Sequence, residues 1–172
     1  TAQARSTGRR RVREVVDASA LGLGELTYSV HAEGFWQVHV DAPRVLVERV
    51  VRGALGADLD GAAGSRVLEL YSGAGLFTRP RAARVGSGGE VMSLERNEQA
   101  VRDARRTLRN HPAARLASGR VSARSVRGLA GSLTGGRPDV VVLDPPRQGA
   151  GREVIEAVGA LGTERIVLVA CD

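Results

Sequence analysis

The stretch Val67-Leu68-Glu69-Leu70-Tyr71-Ser72-Gly73-Ala74-Gly75-Leu76-Phe77 reads as a strand, a turn of small residues and the start of a helix. The apolar run from Val67 to Leu70 has the character of a buried parallel strand, which is covered on both faces. Strand, glycine turn and helix make the first unit of an open α/β sheet, whose ligands bind at the carboxyl ends of the strands. Gly73 and Gly75 let the backbone turn sharply and approach a ligand closely, because neither carries a Cβ.

Downstream the unit repeats. The pattern predicts strands over about 66–71, 90–95, 114–118, 139–143 and 165–170, with helices over about 76–85, 97–109, 123–133 and around Val154 to Leu161. Such alternation implies a parallel, doubly wound α/β sheet with right-handed crossovers, and a strand order of 3-2-1-4-5 by fold analogy. Arg81 falls on the packed face of its helix, where an apolar residue is expected. Upstream, Val47, Val50, Val51 and Ala54 recur at helical spacing, so 42–55 reads as an amphipathic helix. The aromatic-rich run Phe35-Trp36-Gln37-Val38 precedes it. The first thirteen residues are expected to be flexible, and 14–30 carry turn signals at Gly22 and Gly24 with a short β-like run from Leu26 to Val30. Residues 1–33 are therefore expected as a basic linker segment, and 34–172 as the domain core.

A dinucleotide fingerprint calls for a third Gly three residues after Gly75, and Thr78 stands there. The second strand ends in Glu95, an acid suited to two vicinal ribose hydroxyls. Two glycines and this acid fit S-adenosylmethionine at least as well as NAD. An ordinary βα turn beside an exposed Glu is the plainer alternative.

The chain has 172 residues, enough for one domain with a real core. No apolar run reaches membrane-spanning length, no signal-peptide pattern opens the chain, and the single Cys excludes an internal disulfide, so a soluble protein in a reducing, cytoplasmic setting is expected. The chain starts without Met and is expected to belong to a longer protein. All 25 basic residues are Arg, and the net charge is +6, which favours an anionic partner. Residues 1–13 hold five Arg and no acid; residues 102–127 hold eight Arg against one acid, Asp103. Such patches suit phosphate contacts, and a solvated helix face accounts for the second equally well.

Asp144-Pro145-Pro146-Arg147 closes the fourth strand. Two prolines stiffen the turn, which can then hold Asp144 and Arg147 over a planar group; it is also an ordinary loop sequence. Cys171 follows the fifth strand. A lone Cys there is commonly a small core hydrophobe; the sharper alternative is a nucleophile at the rim of the same cleft.

Phe35-Trp36-Gln37-Val38, Leu70-Tyr71-Ser72-Gly73-Ala74-Gly75, Leu94-Glu95, Asp144-Pro145-Pro146-Arg147 and Ala170-Cys171-Asp172, in this order, resemble the motifs of the RNA 5-methyluridine methyltransferase family. The resemblance implies a class I methyltransferase sheet lacking its last strands. It implies S-adenosylmethionine as cofactor, held by Gln37, Tyr71, Gly73, Gly75, Glu95 and Asp144. Cys171 would be the nucleophile that adds to C6 of uracil, and Asp144 and Arg147 would orient the base. The implied substrate is a uridine in structured rRNA or tRNA, extracted from its stack. His39 and Ser72 stand where the family has Asn and Cys, and no acid follows the third strand. The family's general base lies downstream of its Cys, so this chain alone is expected not to complete the cycle. Methylation of cytosine C5, methylation of an exocyclic amine with Cys171 merely structural, and a catalytically silent RNA-binding module remain the alternatives.

Overall fold

The computed structural model describes residues 10–56, 59 and 62–170. Strands β1 (Arg11–Asp17) and β2 (Glu25–His31) are followed by helix α1 (Ala42–Leu55). Then come β3 (Arg66–Leu70), α2 (Thr78–Val85), β4 (Glu90–Glu95), α3 (Glu98–Thr107), β5 (Ala114–Ser118), α4 (Ala123–Gly131), β6 (Val140–Leu143), α5 (Arg152–Gly159) and β7 (Arg165–Leu168). The last five strands form one parallel sheet in the order β5-β4-β3-β6-β7. This is the expected 3-2-1-4-5 order, with the topological switch beside β3.

Side chains along β3 and β6 alternate between two cores. Val67, Val140 and Val142 meet α1, α2 and the hairpin on one face; Leu68, Leu70, Val141 and Leu143 meet α4 and α5 on the other. In β6, Val140 to Leu143 are at most 2% exposed. Each such burial contributes roughly 1.5–3 kcal/mol, which offsets the ordering of its backbone at roughly 1–2 kcal/mol. The central strands read as unbroken apolar runs for this reason. Asn97 caps α3 by accepting from the amides of Gln99 and Ala100, a bond set that satisfies two otherwise orphaned donors.

The segment expected to be a linker departs from that expectation. Arg11 to Arg13, placed among the flexible residues, belong to β1, which pairs antiparallel with β2 from Arg11↔His31 to Asp17↔Glu25. The cause is the period-two pattern of Glu25 to His31. Leu26, Tyr28 and Val30 are buried in the core, while polar residues alternate between them. Gly22 and Gly24, with φ of 67° and 62°, make the reversal. Residues 1–9 and Cys171 lie outside the described residues.

At the other end of the chain β7 is an edge strand, as expected, and its Val169 amide still donates to the Leu143 carbonyl. Ile166 and Leu168 are 52% and 54% exposed. An apolar edge of this kind invites pairing with another strand.

Candidate functional site

The site is built where β3 ends. Tyr71 and Ser72 turn away from the sheet, and both amides donate to the Leu94 carbonyl of β4. Tyr71 has φ 64°, a left-handed conformation that costs a non-glycine residue on the order of 1–3 kcal/mol. Its hydroxyl reaches toward the Ala150 carbonyl beyond the Asp-Pro-Pro-Arg turn, at 3.4 Å. Gly73 and Gly75 follow at φ 54° and 86°.

The two glycines do different work. A Cβ on Gly75 would lie 3.3 Å from the Ala104 Cβ, so this glycine lets α3 pack against the turn. A Cβ on Gly73 would meet nothing within 4 Å, which leaves its face open to a ligand. Gly75→Ala is therefore expected to lower stability by at least about 1 kcal/mol, from left-handed strain plus crowding. Gly73→Ala carries only the strain, and its larger effect falls on ligand binding. Urea unfolding of the two variants checks this; equal losses of stability would contradict it.

Glu95, at the end of β4, fixes the turn. Its Oε2 accepts from the Gly73 amide at 2.9 Å and its Oε1 from the Asn97 amide at 2.7 Å. Each oxygen keeps further accepting capacity. An acid so placed can take two hydroxyl donors without moving.

Asp144 stands at the end of β6, its amide 3.3 Å from the Leu70 carbonyl. Burial, first, and then the charges of Glu69 and Glu95 push its carboxyl up to about 6. Among the described residues its carboxylate accepts no hydrogen bond, so it is available to a donor from outside the protein. A carboxyl raised in the folded state contributes stability that is present below its unfolded value near 3.8 and lost as pH rises through about 6. Asp144→Asn is expected to flatten the fall in melting temperature across that window and to raise the melting temperature at pH 7. Parallel pH curves for the two proteins would contradict it.

Behind the turn lies a buried ion pair that the sequence did not announce. Glu69 and Arg81 are 1% and 0% exposed. Arg81 Nη2 lies 2.6 Å from Glu69 Oε2, which also accepts from Thr78 Oγ1 at 2.6 Å and from Ser93 Oγ at 3.3 Å. Glu69 Oε1 and Arg81 Nε and Nη1 find no partner among the described residues. The pair ties β3 to the first turns of α2, and so holds the glycine turn between them. The arginine that looked misplaced on an apolar face is thus there for the charge of Glu69.

The hairpin braces the turn from outside. Tyr28 donates from its hydroxyl to the Leu76 carbonyl at 2.9 Å, and Arg79 lies over its ring at 5.4 Å. The Trp36 ring stands 5.2 Å from Tyr28.

Of the expected site residues, Tyr71, Gly73, Gly75, Glu95 and Asp144 meet at the carboxyl ends of β3, β4 and β6. Arg147 is exposed on the turn closed by the Gly149 amide and the Pro146 carbonyl. Gln37 is half-buried beside Trp36, and its side chain makes no hydrogen bond among the described residues. A cavity of about 470 Å³ lies at the amino ends of β3, β6 and β7, against Ser65, Asp139 and Arg165. That is the end of the sheet opposite the glycine turn, and open α/β sheets bind ligands at the carboxyl end. Among the described residues no cluster of His, Cys, Asp and Glu could hold a metal ion.

Known proteins agree with this architecture. The sequence model of the protein-L-isoaspartate(D-aspartate) O-methyltransferase family matches residues 54–132, the part holding the glycine turn and Glu95. A protein of Streptomyces coelicolor named as an uncharacterized RNA methyltransferase is 40% identical over 96% of the chain, which covers 32% of that protein. One of Bifidobacterium longum with the same name is 41% identical over 84% of the chain and 33% of its own length. The chain thus spans about a third of the length of the curated relatives it matches. The crystal structure of TrmN from Thermus thermophilus superposes with a TM-score of 0.57 at 20% identity, covering 74% of this chain and 38% of that one. The likeness shows the fold, a Rossmann-like parallel sheet.

Proposed function

We propose that the chain is the catalytic core of an S-adenosylmethionine-dependent RNA methyltransferase acting on C5 of a uridine in rRNA or tRNA. The observation that carries the cofactor assignment is the pairing of Glu95 with the Gly73 amide at 2.9 Å, beneath an unobstructed turn. Glu95 would hold the ribose hydroxyls, the turn from Tyr71 to Gly75 would admit the adenosyl and methionine parts, and Asp144 would accept from the amino group. Gln37 would close the site from the hairpin side. The RNA assignment follows the names of the relatives and the motif set from Phe35 to Cys171.

S-adenosylmethionine, when bound, supplies an electrophilic methyl group on a sulfonium. Uracil C5 is too weak a nucleophile to take that group unaided. Cys171 Sγ, by adding to C6, moves the C5=C6 electron pair toward C5 and makes it enolate-like. After C5 has taken the methyl, a base removes the C5 proton, and the thiolate leaves as the double bond reforms. Asp144 and Arg147, held by the stiff Pro145-Pro146 turn, would orient the uracil.

A second reading has one observation in its favour. The unpartnered Asp144 carboxylate beside Pro145 and Pro146 would also suit an exocyclic amine, with Cys171 outside the chemistry.

Calorimetry with S-adenosylhomocysteine tests the cofactor assignment. Binding is expected, with a rise in melting temperature by mass action. Glu95→Ala is expected to weaken it by on the order of 10²-fold, the loss of one or two charge-assisted hydrogen bonds. Tight binding of NADH without a response to S-adenosylhomocysteine would overturn it.

A further inference from the structure

Where it is described, the first arginine-rich stretch meets the second in the fold, through Arg11 and Asp103. Arg102, Arg105, Arg106 and Arg109 recur at i, i+3, i+4 and i+7 along α3 and its C-terminal end, and all four are exposed. Residues at this spacing share one helix face. The one acid in that stretch, Asp103, is 2% exposed and points the other way. Its Oδ1 pairs with Arg11 of β1 at 2.8 Å and its Oδ2 accepts from the His31 amide at 2.7 Å. Asp103 thus clamps the hairpin to α3 and leaves no exposed carboxylate between Arg102 and Arg127. Arg10 and Arg13, both exposed, flank Arg11, the hairpin residue that Asp103 holds against α3. A shallow hollow of about 280 Å³, flanked by Arg105, Arg109 and His111, lies at the far end of the stripe.

From this convergence we infer that α3 and the β1–β2 hairpin form one docking face for the phosphate backbone of RNA. The inference rests on the proposed RNA substrate and names the surface that holds it. The stripe is costly without a partner, because Arg102 with Arg106 and Arg105 with Arg109 are like-charged i,i+4 pairs. Glu98 pairs with Arg102 at 3.5 Å, and the helix dipole favours Arg105 and Arg106 in the last turn, but neither relieves the like-charged crowding of Arg105 with Arg109. The chemistry of the face selects among polyanions. A helix that lies on a membrane needs exposed apolar residues beside its cations, but Val101, Ala104 and Leu108 are all buried. A protein interface needs an apolar or aromatic centre; the outward face of α3 offers none, and the large apolar side chains exposed on β1, Val12 at 43% and Val15 at 48%, lie on opposite faces of the strand. RNA asks only for cations spaced along a backbone.

The test measures binding of the chain to a fluorescein-labelled RNA stem-loop over a range of salt concentrations. The triple variant Arg105→Gln, Arg106→Gln, Arg109→Gln keeps helix-forming side chains. Its slope of log affinity against log salt is expected to flatten by about 2–3, at roughly 0.7–0.9 for each phosphate that is no longer neutralised. Arg10→Gln with Arg13→Gln should flatten it further. A control variant removes the same charge from the α4–α5 side of the sheet, through Arg127→Gln, Arg137→Gln and Arg152→Gln, and should leave the slope nearly unchanged. Equal flattening in control and test variants would overturn the inference, as would an unchanged slope in both. Loss of binding to phosphatidylserine vesicles without loss of RNA binding would assign the face to a membrane and overturn it too. S-adenosylhomocysteine affinity, measured in parallel, should be the same in all variants. Its absence in the wild type would defeat the proposed cofactor while leaving the RNA result to stand or fall by itself.

Discussion

Arg81→Leu will lower the unfolding free energy by about 3–5 kcal/mol, because it leaves the Glu69 carboxylate buried without its counter-charge. Thr78 and Ser93 still donate to that carboxylate, but two hydroxyl bonds do not replace a guanidinium in a site that water does not reach. A domain of this size is stable by about 5–15 kcal/mol, so the variant sits near the edge of folding. The double variant Glu69→Gln, Arg81→Leu is expected to regain most of the loss. A neutral amide can keep the Thr78 and Ser93 bonds, and replacing a buried pair by neutral groups is often close to neutral in stability. Urea unfolding of the two single variants and the double variant gives the coupling energy. Additive losses would contradict the account, since they would mean that Glu69 does not need Arg81.

The other large effect is expected at Cys171. Cys171→Ala should slow a single round of methyl transfer to RNA by more than about 10⁴-fold, the order seen when a covalent nucleophile is removed. S-adenosylhomocysteine affinity should stay as it was, because the cofactor is assigned to groups on β3, β4 and β6. That split separates a nucleophile from a core cysteine, whose loss would lower stability and leave the rate of the folded fraction intact. Transfer at the normal rate by the Cys171→Ala protein would return Cys171 to the apolar core.

The parallel sheet was legible because its central strands are buried on both faces. Val67 to Leu70 and Val140 to Leu143 can be little else, and their order was expected by analogy with doubly wound sheets. The hairpin was legible in principle. Glu25 to His31 alternates polar and apolar residues without a break, but the glycines before it read as loop. Arg81 could not be read. An arginine on a packed helix face has meaning only once the fold brings it to Glu69, twelve residues back and on another element. The same holds for Asp103, whose burial leaves the exposed helix face from Arg105 to Arg109 without a carboxylate. The left-handed Tyr71 gave no signal either, since its strain is imposed by the β3–β4 connection. Glycine, acid and proline positions announce themselves through backbone requirements. Buried charge pairs join residues far apart in the chain, and a single sequence does not show which.

The most direct measurement is the intact mass of the chain after incubation with S-adenosylmethionine and an RNA carrying 5-fluorouridine. Addition of Cys171 Sγ to C6 and methylation of C5 leave fluorine where the departing proton would be, so no base can release the enzyme. The account predicts a species that survives denaturation and has the mass of chain plus RNA plus one methyl group, less the thiol proton. It should be absent with Cys171→Ala and absent without the cofactor. No linked species, together with a methyl group on an exocyclic nitrogen of unmodified RNA, would contradict it and assign Asp144-Pro145-Pro146 to amine chemistry.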